Sequence, residues 1–139
     1  MSAHKPHFEI ALALIWKGDR LLITRRPSGA HLAGFWEFPG GKCRDAEAAS
    51  ACALREALEE VGVVCRPLRT RRALHHDYPE RTVRLVPIDC AWESGEPRCL
   101  AVSDFAWVHP AGLADYEFPP ANSLLIAELI TSAPPGSDR

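Results

Sequence analysis

Between Gly40 and Gly62 the chain reads GGKCRDAEAASACALREALEEVG, and three carboxylates crowd its end: Glu56, Glu59 and Glu60. Each residue of a helix advances by about 100°, which puts Glu59 and Glu60 about 60° and 40° either side of Glu56. The three share one narrow stripe. Like charges so placed repel, and the negative end of the helix dipole disfavours them further. One reading is a solvated acidic face. The other is a hard divalent cation that gathers them, since Mg²⁺ takes carboxylate oxygens together with substrate phosphates and water.

A helix over about residues 46–61 must hold that stripe. Asp45 is placed to cap its start, and Gly62 suits the left-handed residue that ends a helix. Leu54, Ala57, Leu58 and Val61 form the opposite face and are expected to bury against a sheet. Upstream, FEIALALIW (8–16) and RLLITRR (20–26) read as two strands of a hairpin joined at KGD. Residues 1–7 read as a loose end, and 27–44 as a long Gly/Pro-rich loop of the kind that is usually functional. Downstream, RPLRTRRALHHDY and RTVRLVPIDCAW flank a Pro-Glu turn, ESGEP is a further turn, and DFAWV is a short strand. ANSLLIAELI (121–130) is a second helix, and the tail from about residue 132 has a disordered composition. Strands with two separate helices predict an α/β or α+β layered domain, one domain across residues 1–139.

The 139 residues suit one hydrophobic core. With 47% hydrophobic and 24% charged residues, and a net charge of −2, the chain reads as globular and soluble. It lacks the basic stripe that a nucleic-acid polymer would require. No apolar run is long enough to span a bilayer, and the start lacks the layout of a signal peptide. Five cysteines without a CxxC indicate reduced thiols and a cytoplasmic setting, neither a disulfide framework nor a zinc cluster. A monomer is the default expectation.

The acidic stretch resembles the signature of the Nudix hydrolase family: Gly41, Glu47, Arg55-Glu56, Ala57, Glu59-Glu60, Gly62 and Val63, with every fixed position met at its spacing. Seven fixed identities make this far more specific than a lone glycine motif. LLITRR, FWEFPGGK, YPER, WESGEP and FPPAN further resemble the MutT-type branch, so the likeness spans about residues 8–130. The resemblance implies a mixed β-sheet sandwiched between helices, with the signature as a loop–helix–loop. It implies Mg²⁺, for which Mn²⁺ can substitute, held by Glu56, Glu59, Glu60 and a carbonyl of Gly40 or Gly41, with Arg55 steadying the glutamates. It implies a small-molecule nucleotide substrate, cut to monophosphate and pyrophosphate, with oxidised purines such as 8-oxo-dGTP preferred.

Substrate contacts implied by the resemblance are Arg26, Glu37, Phe38, Lys42, Arg81 and Asn122. Each has a plainer reading. Arg26, Lys42 and Arg81 can be solvated cations. Asn122 can read a purine edge, cap the second helix, or both. Phe8, Ile10, Phe38 and Val83 can form an apolar slot or simply core. Glu47 sits about 180° from Glu56 on a regular helix, so it is expected to support the loop rather than bind the ion. The chain departs from the branch at Ala101, where a further glutamate is usual. The proton acceptor therefore remains open among Glu59, Glu60 and Asp104. Other nucleotides, or a non-catalytic binding module, are the alternatives.

Overall fold

The computed structural model describes residues 5–30, 32–132 and 135. Eight strands form one mixed sheet: β1 (His7–Lys17), β2 (Arg20–Arg25), β3 (Trp36–Glu37), β4 (Gly40–Lys42), β5 (Val64–Thr70), β6 (Leu74–Asp77), β7 (Thr82–Ser94) and β8 (Asp104–Val108). The main path runs β3-β2-β1-β7-β5, with β4 on β1, β6 on β7 and β8 on β2. The spine is β1 against β7, parallel from His7↔Thr82 to Trp16↔Ala91. Helix α1 (Ala49–Val61) and helix α2 (Ser123–Thr131) complete the fold. Among the described residues, no helix is long and apolar enough to cross a membrane.

Alternation along the spine gives the sheet two different faces. Ala11, Ala13, Ile15, Leu22, Val86, Ile88 and Cys90 share one buried cluster with Ala53, Ala57 and Val61 of α1. Leu12, Leu14, Trp16, Leu21, Ile23, Val83 and Leu85 share the other with Leu125 and Leu129 of α2. Successive strand residues point to opposite faces, so a strand covered on both sides reads as a continuous apolar run. Alanines meet alanines under α1, which lets that helix lie close to the sheet. Bulkier side chains fill the space under the shorter α2.

Among the described residues, one charged group is sunk among the apolar ones. Asp89 of β7 is fully buried. It accepts hydrogen bonds from Trp16 Nε1 at 2.9 Å, Arg69 Nε at 2.7 Å and Arg71 Nε at 2.9 Å. Arg71 reaches on to Glu128 of α2 at 3.7 Å, so the buried carboxylate ties the sheet to that helix.

Several expectations need correction. Helix α1 starts at Ala49, and Asp45 does not cap it: Ala48 is the N-cap and makes no side-chain capping bond. The Arg44 amide instead donates to Glu47 Oε1 at 2.9 Å, and Ala46 takes a left-handed φ of 62°. A side-chain-closed turn thus replaces the helix's first turn. Leu58 is 53% exposed, because the packed face centres on Ala53, Ala57 and Val61, and Leu58 lies about 100° from Ala57. Residues 27–44 contain strands β3 and β4. The second helix begins at Ser123, after a 3-10 turn over Pro120–Asn122. The start is tied down rather than loose from Lys5 on: Lys5 Nζ donates to Asp77 and to the Tyr78 carbonyl, and the Thr82 amide to the Pro6 carbonyl. Most of the tail after residue 132, like residues 1–4, lies outside the described residues.

Removing a buried ion's carboxylate strands its cationic partners, at about 3–5 kcal/mol. Asp89→Ala is expected to lower the unfolding free energy by about that much in urea titration. A loss under about 1 kcal/mol would mean that Arg69 and Arg71 find water instead.

Candidate active site

The glycine segment and α1 are held together by a steric fit. Strand β4 pairs antiparallel with β1 through Ile10↔Lys42, Ala11↔Gly41 and Leu12↔Gly40. A Cβ on Gly40 would lie 2.2 Å from the Ala11 carbonyl oxygen, and one on Gly41 would lie 2.6 Å from the Glu56 carboxyl carbon. A side chain at position 40 would collide with the β1 backbone, and one at position 41 would push the Glu56 carboxylate aside.

Arg55 is the electrostatic hub. Its Nε and Nη2 donate to the two Glu47 oxygens at 2.8 and 3.0 Å, Nη1 donates to Glu56 at 2.9 Å and to Glu59 at 3.1 Å, and Nη2 also reaches the Lys42 carbonyl at 3.3 Å. Those bonds to Arg55, with the Arg44 amide, pull the Glu47 carboxyl down to about 2. Glu47 thus lies outside the helix and fixes the arginine that orients two of the three stripe glutamates. Its eight-residue spacing to Arg55 in the signature was the signal for this pairing.

The stripe is graded from water to interior. Glu59 is 52% exposed at its side chain and Glu56 16%. Glu60 is deeper, and its Oε1 is buried without a hydrogen-bond partner. Burial pushes the Glu60 carboxyl up to about 9, helped by a hydrogen bond with Glu56 and the charges of Glu37 and Glu56, against the Gly40 amide. The three do not converge: among the described residues, no three His, Cys, Asp or Glu side chains stand together as a ready metal cluster. The donors nonetheless suit a hard cation. They are carboxylate oxygens, one is a buried orphan, and the glycine backbone presses against them. At the helix end, the Arg98 amide donates to the Val61 carbonyl at 2.9 Å, and the Leu100 and Ala101 amides to the Glu60 carbonyl at 3.2 and 3.1 Å.

A cleft of about 170 Å³ opens beside the stripe, lined by Arg26, Glu37, Tyr78, Arg81 and Asn122 over an apolar floor that includes Ile10, Leu12, Val83 and Leu85. That volume suits one part of a ligand rather than a whole drug-sized one. Asn122 is 7% exposed and makes no side-chain cap to α2, so the capping reading does not hold. Arg26 Nη1 meets Glu37 Oε1 at 3.1 Å. Burial raises the Glu37 pKa against the pull of Arg26. Arg81 lies over the Tyr78 ring at 5.3 Å and the Phe8 ring at 5.9 Å, with its Nε buried and unpartnered. Tyr78, in YPER, is a lining residue that sequence reasoning did not single out.

Other candidates fall elsewhere. Phe38 is 1% exposed and stacks on Phe118 at 5.4 Å, so its ring is core under α2. Lys42 covers Phe8 at 4.0 Å and lines a neighbouring polar cleft instead. Asp104 is exposed at the start of β8, where Oδ1 accepts from the adjacent Phe105 amide at 2.8 Å.

The raised Glu60 pKa makes the metal-free fold pH-dependent. The folded carboxyl keeps its proton toward about 9, against 4.5 for the free group. Its contribution is full below the lower value and is lost as pH rises through the upper one. In EDTA, the unfolding midpoint of the wild type is expected to fall across that window, and Glu60→Gln to flatten the slope. Identical slopes would show that Glu60 is already ionised at neutral pH.

Residues 11–128 match the NUDIX domain family. The 8-oxo-dGTP diphosphatase of Escherichia coli K12 is 35% identical over 123 residues, covering 87% of this chain and 95% of that protein. The 8-oxo-dGTP diphosphatase of Proteus vulgaris is 38% identical over 82 residues, covering 58% and 73% respectively. In structure, the MutT protein of Methanosarcina mazei Go1 superposes with a TM-score of 0.81 over 92% of this chain and 96% of that one, at 23% identity. Signature, fold and relatives agree: the chain belongs to the NUDIX domain family and is a Nudix hydrolase.

Proposed function

We propose that the protein is a Mg²⁺-dependent nucleoside triphosphate pyrophosphohydrolase that prefers oxidised purine nucleotides such as 8-oxo-dGTP. It releases the nucleoside monophosphate and pyrophosphate, and keeps oxidised precursors out of the cytoplasmic nucleotide pool. Residues 1–139 act as one domain. The observation that carries this reading is Glu37. It lines the cleft that holds Asn122, and its charge also acts on Glu60 of the acidic stripe. A base seated in the cleft would place its phosphates beside the three glutamates. The relatives named 8-oxo-dGTP diphosphatase support the same substrate class.

Glu56, Glu59, Glu60 and a carbonyl of Gly40 or Gly41 would hold the ion, with Mn²⁺ able to replace Mg²⁺. When bound, it neutralises phosphate charge and lowers the pKa of water. The chain's own residues do the rest. Arg55 keeps Glu56 and Glu59 aimed. Arg26, in the cleft wall, supplies positive charge to the polyphosphate. A stripe glutamate, Glu59 or Glu60, takes the proton of the attacking water, because Asp104 is turned to its own backbone and position 101 has no carboxylate. Asn122 offers both a donor and an acceptor, which suits an oxidised guanine edge, and Arg81 closes the cleft mouth.

Purified protein with Mg²⁺ and dGTP, 8-oxo-dGTP, dCTP, ADP-ribose and a diadenosine polyphosphate tests this through monophosphate and pyrophosphate release. The expected outcome is preferential turnover of 8-oxo-dGTP, with turnover of all the nucleotides lost in Glu59→Gln. Asn122→Ala is expected to cut the preference over dGTP by about tenfold, the size of one lost buried hydrogen bond. Better turnover of another nucleotide would discard the oxidised-purine role while keeping the family. Asp104→Asn is expected to change turnover less than about threefold, whereas a general base would cost about 10²–10⁴-fold.

A further inference from the structure

The turn between β6 and β7 carries two residues that line the substrate cleft, Tyr78 and Arg81. Its backbone is closed by the Tyr78 amide, which donates to the Arg81 carbonyl at 2.8 Å. The chain's first described residues pin it from outside. Lys5 Nζ donates to the Tyr78 carbonyl at 3.0 Å, and the Thr82 amide donates to the Pro6 carbonyl at 2.9 Å. From there β1 runs beside β7, and Phe8 lies opposite Val83, just beyond Arg81 in the chain. Phe8 stands outside residues 11–128, which match the family.

Arg81 is half-buried. Its guanidinium makes no hydrogen bond or ion pair among the described residues, and its Nε is buried. A buried donor without an acceptor is rare in a folded protein and asks for a reason. What holds this one is aromatic. The guanidinium carbon lies 5.3 Å from the centre of the Tyr78 ring and 5.9 Å from that of Phe8. The Tyr78 ring is itself braced by His76, with ring centres 4.4 Å apart. The negative face of a ring attracts a cation without occupying its N–H groups. Arg26 shows the contrast, since it lines the same cleft but commits Nη1 to Glu37 at 3.1 Å.

We propose that Tyr78 and Phe8 are positioning residues, whose rings hold the Arg81 guanidinium in the cleft with its donors free for a carbonyl oxygen of the bound base. A guanidinium has donors and no acceptor, so the group it waits for must supply oxygen or nitrogen lone pairs. An oxidised guanine, which carries a second ring carbonyl, meets that need. Losing either ring keeps the arginine's charge but lets its donors turn to water, so the base binds less well. The acidic stripe is untouched, so the hydrolytic step continues. That the ligand is a purine nucleotide rests on the functional reading above; that the rings hold Arg81 does not.

The test is nuclear magnetic resonance on the nitrogen-15-labelled full chain in EDTA. The Arg81 Nε–H signal is assigned by its loss in Arg81→Lys. The probes are 8-oxo-dGMP, the reaction product, and 8-oxo-deoxyguanosine, which has no phosphate. Wild type is expected to give an ordered, slowly exchanging Arg81 signal. Tyr78→Leu and Phe8→Leu are expected to lose that order and to bind both probes about fivefold more weakly, while Tyr78→Phe keeps both properties. With Mg²⁺ and 8-oxo-dGTP, the leucine variants are expected to raise KM by a similar factor and to leave kcat within about twofold. An Arg81 signal as ordered in the leucine variants as in wild type, a Tyr78→Phe protein as weak as Tyr78→Leu, or a loss confined to the phosphorylated probe would each overturn the proposal. A wild type that binds neither probe would sink the oxidised-purine reading instead, and the Arg81 signal would then decide whether the rings hold it.

Discussion

The fork of Arg55 against Glu47 is the contact on which the site depends. A guanidinium offers five donors in a rigid plane. Here they reach Glu47, Glu56, Glu59 and the Lys42 carbonyl. One residue therefore clamps the loop before the helix, the helix face and the glycine segment. Lysine could not replace it, because a point charge on a flexible stem cannot bridge four groups in fixed directions. The arginine also holds apart carboxylates that would otherwise repel, so the acidic stripe persists without collapsing the helix that carries it.

The two-faced sheet makes that clamp possible. Small side chains on the α1 face bring the helix near enough for Gly40 and Gly41 to run against it, and the pairing of β4 with β1 sets their height. The opposite face is filled by larger side chains and anchored by Asp89. Rigidity is thus concentrated in strands β1 and β7, while the substrate cleft is assembled from the ends of elements: Glu37 from β3, Tyr78 and Arg81 from the β6–β7 turn, and Asn122 from the turn before α2. Variation at those ends can change what is recognised without touching the acidic machinery.

Much of this was legible in the chain. The hairpin, the acidic helix, its glycine end and the second helix follow from apolar periodicity and turn residues, because those signals are local. The family follows from seven spaced identities. What escaped was set by contacts between distant segments. Asp45 reads as a helix cap from its neighbours alone, but Glu47 is claimed by Arg55 and the helix starts later. Leu58 reads as core by helical counting, yet the sheet's contact centres on the alanines. Phe38 stands inside the glycine motif and still turns into the core, because Phe118 waits for it there. Asn122 presents the opposite case: sequence left it divided between cap and cleft, and its missing cap and its burial turn it to the cleft.

The parallel pairing of β1 with β7 has a consequence for how the chain comes to be folded. Thr82 lies far along the chain from its partner His7, so this pairing closes a long loop and carries a high entropic cost. During synthesis, β1 and β2 can form their hairpin early, but the apolar outer edge of β1 stays open until β7 has been made. An unpaired strand of that length invites pairing with another chain. The same spine that makes the finished enzyme rigid leaves the nascent chain dependent on a prompt arrival of its second half.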